Sequence, residues 1–160
     1  MLRRWVETIV VLAATLLVSS CFDPRTSSNI DAEGNRLARQ LGLATEVQVV
    51  ARESDGDRRY FVLEDGETAF LIVSMGGKIL ASDRCPDLRH DGHIGCGFLG
   101  TAGPVQGIEA TYGFRKDSST GVRISVDGNE LTVPLTSQGG FLYVRHTKSG
   151  APLGDIKIVP

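Results

Sequence analysis

The sequence predicts an all-β domain with one short helix, and three observations carry that expectation. From residue 45 onward, β-branched, aromatic and other apolar residues recur in short runs that either alternate with polar residues or are continuous. The runs are punctuated by Asp55-Gly56, Asp65-Gly66, Gly76-Gly77, Asp127-Gly128 and Ser149-Gly150, where glycine supplies positive φ and aspartate bonds its own backbone. Helical spacing is confined to one segment ahead of residue 43. About 8 or 9 short strands joined in this way close as an antiparallel sandwich or a small barrel.

Taken in order, SNIDAEGNRLARQLG opens with a capping-box-like Ser28 and Asp31 and stops at Gly42. Ile30, Leu37, Ala38 and Leu41 share one helical face, and Gly34 costs that helix about 1 kcal/mol relative to alanine. Strands are expected at 45–52, 58–64, 68–74, 78–82, 107–115, 121–126, 130–134, 141–146 and 155–159. TAFLIVS is apolar throughout, as a central strand covered on both sides would be. In GIEATYGFR, Ile108, Ala110, Tyr112 and Phe114 alternate with polar or small residues, which predicts one buried face. Residues 83–106 hold five glycines and two prolines and show neither period, so a long loop is expected there.

The N-terminus reads MLRRWVETIVVLAATLLVSSCF. Arg3 and Arg4 precede an apolar run from Ile9 to Val18, and Ser19 and Ser20 precede Cys21, which is the three-part plan of an export signal. The run is about half the ~20 residues that a membrane-spanning helix needs. Val18-Ser19-Ser20-Cys21 resembles the lipobox of bacterial lipoproteins, with Val18 where leucine is usual and Ser20 where glycine or alanine is usual. The resemblance implies a signal peptide over 1–20 and a lipidated Cys21 carrying palmitate-type chains; the polar, aperiodic FDPRTSS then reads as a tether, giving 21–28, and the remaining length fits a single domain over 29–160. Acyl chains give about 0.8 kcal/mol of membrane affinity per buried CH₂. Phe22, rather than aspartate, follows the cysteine, and by resemblance to bacterial sorting rules this favours the outer membrane over the inner.

With Cys21 taken by lipid, Cys85 and Cys96 remain as a pair in an oxidising compartment. A disulfide between them would strap the stretch CPDLRHDGHIGC. The alternative is a metal: Cys85, His90, His93 and Cys96 are spaced C-x4-H-x2-H-x2-C, and two sulfurs with two imidazoles satisfy tetrahedral zinc. Asp87 and Asp91 beside His90 and His93 would also serve a divalent ion or a protein contact. The order AFLIVSMGGKILASDRCPD, a glycine-rich loop with a second cysteine, GPVQGI and DGNELTV is similar to Rieske-type iron–sulfur domains over residues 65–134. That resemblance implies a small all-β scaffold. Cys85 and Cys96 match the family's cysteines, but Asp87 and Leu99 stand where its two histidine ligands belong, so the scaffold is expected without a cluster.

Other chemistry is thinly represented. Arg3, Arg4 and Glu7 fall in the leader, so the mature chain is one charge more negative than the −2 of the whole sequence, and no basic field exists to attract nucleic acid. GCGFLG at 95–100 fits G-x-G-x-x-G but lacks the flanking strand and helix of a dinucleotide site. No G-x-S-x-G occurs, no catalytic set is expected, and Arg58-Arg59 and Arg145-His146 read as solvated strand edges. The sequence thus predicts an exported, membrane-anchored envelope protein, with Asp87, His90, Asp91 and His93 on an interaction loop and an envelope protein as its partner. A Rieske-like or metal-binding redox protein holding zinc or an iron–sulfur cluster is the alternative.

Overall fold

The computed structural model describes residues 24–44, 47–85, 93–147 and 156–158. They form ten strands, one α-helix and one 3-10 turn, with every strand pair antiparallel. The expected all-β fold with a single helix is what the described residues adopt.

Helix α1 spans Pro24–Gln40. It begins four residues before Ser28, where a tether was expected, and proline suits a first turn because its missing N–H would be unpaired there anyway. Its end is where Gly42 predicted it: Gly42 takes φ 72°. The Leu43 amide donates to Ala38 O (3.1 Å) and the Gly42 amide to Arg39 O (3.1 Å), so the last carbonyls are satisfied.

Strands β1 (Gln48–Asp55), β2 (Arg58–Asp65), β3 (Thr68–Met75) and β4 (Lys78–Cys85) form a four-stranded meander in that order. Leu37 and Ala38 of α1 pack on Phe61, Leu63 and Ile72 on one face of this first sheet. At Gly34 a Cβ would come within 2.8 Å of Val49 Cγ2 and 2.9 Å of Phe61 Cδ1. The glycine that weakens the helix is therefore the point at which the helix meets the sheet. The other face carries Tyr60, Val62, Leu71 and Val73 against Ile108, Ala110, Tyr112 and Phe114, so β3 is covered on both sides, as its continuous apolar text predicted.

The middle sheet has the order β5 (His93–Leu99), β6 (Ile108–Arg115), β9 (Gly140–His146), and the third sheet the order β10 (Ile156–Ile158), β7 (Gly121–Val126), β8 (Asn129–Pro134). Two expectations are corrected here. β5 lies inside the stretch read as a loop, and β4 continues to Cys85. The low strand propensity of Gly95 is outweighed by close packing, since a Cβ there would fall 2.1 Å from Ile158 Cδ1. β6, expected to bury one face, buries both: Glu109 and Thr111 are 3% and 2% exposed. The reason is the third sheet, whose Val122, Ile124 and Val133 cluster with Phe141 on the far side. The layers run helix, first sheet, middle sheet, third sheet.

The first and middle sheets are stapled where β1 meets β9. Val50 is an extra residue in β1, because Val49 pairs with Leu63 and Ala51 with Val62. A bulge frees one carbonyl from the ladder, and Thr136 Oγ1 donates to it while accepting the Gly140 amide at 3.1 Å. A Cβ at Gly140 would stand 2.3 Å from Val50 O. Gly140→Ala must therefore push β1 from β9, and is expected to lower unfolding free energy by roughly 1–3 kcal/mol in urea titration.

Candidate functional site

Cys85 closes β4 and Cys96 lies within β5, so the two cysteines sit at the edges of different sheets. They are joined: Cys85 and Cys96 form a disulfide with Cα atoms 5.6 Å apart, within the normal span for such a bond. The bond ties the first sheet to the middle sheet at the edge opposite the Val50 staple. Beside it, Tyr112, which pairs with Cys96 in the ladder, donates its hydroxyl to Asp83 Oδ2 at 3.0 Å. Tyr112 is fully buried. Burial pushes its hydroxyl far above the ordinary range, and the Asp83 charge and hydrogen bond push it further. The phenol therefore stays a neutral donor, and the seam consists of one covalent and one hydrogen-bonded crossing.

This pairing bears on the metal alternative. A sulfur bonded to sulfur is no thiolate, so the set Cys85, His90, His93 and Cys96 lacks two of its four ligands in the oxidised protein. The same holds for an iron–sulfur cluster. His93 opens β5 with its backbone opposite Arg115. Asp87, His90 and Asp91, like Cys21, lie outside the described residues, and among the described residues no three His, Cys, Asp or Glu side chains converge as a metal site.

Arg145, expected at a solvated edge, is largely covered, whereas Arg59 is exposed as expected. Arg145 ion-pairs with Glu109 and, at 2.6 Å, with Asp127 in the turn between β7 and β8. The hydrogen bond that Arg145 donates to Asp127 is the largest influence raising the Arg145 pKa, followed, against the opposing cost of burial, by Glu109. Arg59 pairs with Glu33 of α1. His146, at the end of β9, places Nε2 2.9 Å from Asp55 Oδ2 at the end of β1.

Around that contact the register gathers a polar cluster: Glu53 pairs with Tyr60, and Asp55 with Arg58. The Tyr60 hydroxyl and Arg58 Nε are buried with no hydrogen-bond partner among the described residues. The signal in the sequence was the i, i+2 pair Glu53 and Asp55, which put two carboxylates on one strand face. That β9 would end opposite them could not be read from the spacing. On the helix side, a cleft of about 380 Å³ separates α1 from the turn after β8, lined by Asp31, Arg52, Thr136, Ser137 and Gln138.

Comparison with family models, with curated proteins and with solved structures found no match. The site's chemistry therefore rests on its own geometry.

Two measurements follow from it. Replacing both Cys85 and Cys96 by serine is expected to cost roughly 3 kcal/mol of unfolding free energy, the loop-closure contribution of an eleven-residue separation; chemical denaturation of the variant and of the oxidised parent checks it. Glu53 has its carboxyl pushed above 4.5, first by desolvation and then by Asp55, with His146 opposing. The folded state thus holds this proton more tightly than the unfolded one. Stability is complete below the unfolded value and declines as pH rises through the raised folded value. Glu53→Gln is expected to remove that decline, so its melting temperature gains on the parent between pH 4 and 7 and shows no gain below pH 4.

Proposed function

We propose that this chain is an exported, lipid-anchored envelope protein whose β domain presents residues 86–92 as a binding segment. The observation that supports it is the Cys85–Cys96 disulfide between the sheets. Such bonds persist in oxidising compartments outside the cytoplasm, which agrees with a leader ending in Val18-Ser19-Ser20-Cys21. The segment between the two strands is short, polar and bracketed by fixed ends, and its Asp87, His90 and Asp91, with His93 at its exit, supply carboxylates and imidazoles for hydrogen bonding. A protein partner in the envelope is the occupant this composition suits, and the outer membrane is the location that Phe22 favours.

Described residues contain no helix long and apolar enough to cross a membrane. On this reading anchoring rests on Cys21. Cys21→Ser is expected to move the chain from the detergent phase to the aqueous phase on detergent partitioning, and intact mass of the parent should show acyl chains and a gain of two hydrogens on reduction. An unprocessed N-terminus, or thiols at 85 and 96 titratable without reductant, would refute the reading. A photo-cross-linker at position 90 in intact cells is expected to give one discrete protein adduct that the same group at Gly128 does not; equal labelling from both positions would rule out the segment as the contact.

A further inference from the structure

The path of α1 across the first sheet bears on which edge of the domain a lipid at Cys21 would lie nearer. Asp31 ion-pairs with Arg52 on β1, Glu33 with Arg59 on β2, and Arg36 donates to Gly77 O (3.0 Å) in the turn between β3 and β4. Going from residue 31 to residue 36, the helix therefore crosses from the β1 side toward the β4 side. Read backwards, its N-terminal half leaves the sheet over the β1 edge. Pro24 stands seven residues before Asp31, or about 10 Å along the axis at 1.5 Å per residue. Only Phe22 and Asp23 separate the helix from Cys21, so the attachment sulfur's residue lies within about 11 Å of Pro24 even in a fully extended chain.

The two edges differ in what they carry. The β1 edge meets β9 and the Thr136–Gly139 turn, where Ser137 and Gln138 are exposed and Arg52 is already paired with Asp31. The β4 edge meets β5 and carries the disulfide. Four strands spaced about 4.8 Å apart put roughly 14 Å between β1 and β4. The link leaves from the β1 side of the sheet, so the β1 edge is the nearer of the two to the attachment residue.

We infer that the β1–β9 edge, with the Thr136–Gly139 turn, rests against lipid headgroups while the disulfide edge faces away from the bilayer. The inference deepens the proposed function, because it rests on lipidation at Cys21 and orients the binding segment toward a partner off the membrane. The surface it assigns to the headgroups carries the hydroxyl and amide groups of Ser137 and Gln138, the Arg52–Asp31 ion pair and the exposed carboxylates of Glu53 and Asp55, a set that hydrogen-bonds to zwitterionic headgroups and has no basic excess to call for anionic lipid.

The test uses the full lipidated protein, purified from membranes and reconstituted into phosphatidylcholine vesicles containing a headgroup-nitroxide lipid. Flotation with the vesicles is read first; failure to float removes the lipid anchor and with it this orientation. Single cysteines are then placed at two exposed positions, Ser137→Cys on the turn and Ser82→Cys on β4, and each is labelled with a maleimide fluorophore, to which the native disulfide is inert. Quenching by the nitroxide is expected to be several-fold stronger at 137 than at 82. Floating vesicles with equal quenching at both positions, or stronger quenching at 82, would overturn the orientation and leave the anchor intact.

Discussion

The central strand of the middle sheet, β6, has no face in water, and much of the molecule follows from that constraint. Its β6 is packed by the first sheet on one side and by the third on the other, yet its sequence carries Glu109 on a face that a two-layer sandwich would leave wet. A lone charge in such a place costs several kcal/mol. Arg145 on the neighbouring strand meets it, and Asp127 on the third sheet holds Arg145 in turn. Asp127 sits at φ 53°, a left-handed conformation that aspartate tolerates better than most residues. One buried carboxylate thereby sets the position of a turn in the next layer.

The first and middle sheets are fastened at their two edges by different chemistry. At β1 and β9 the fastening is a hydroxyl that donates to a bulge carbonyl and accepts an amide, and at β4 and β5 it is a sulfur–sulfur bond beside a buried phenol. The first is independent of redox state and the second is not. The edge fastened covalently is also the one that brackets residues 86–92, so the ends of that segment are held by the strongest crossing in the fold.

Much of the fold was legible because its cues are local. Aspartate-glycine and glycine-glycine turns marked the hairpins, Gly42 marked the helix stop, and TAFLIVS announced a strand covered twice. What stayed hidden depends on partners distant in sequence. Gly95 looks like a loop residue until Ile158 is seen filling the space a side chain would occupy. Glu109, Thr111 and Arg145 look like surface text until a third sheet covers them. The helix start was placed late at Ser28, because a polar stretch with a proline carries no apolar period even where proline can begin a helix. Of the site, the pairing of Cys85 with Cys96 followed from counting thiols, whereas the cluster of His146 with Asp55 needed the register of two sheets.

The two fastened edges also bear on how copies of the chain meet one another. Open sheet edges are templates on which another chain can add a strand. Here β1 turns its bulge carbonyl inward to Thr136, and β4 is bound to β5. Strand-by-strand polymerisation between neighbouring copies is thus resisted along both borders of the largest sheet.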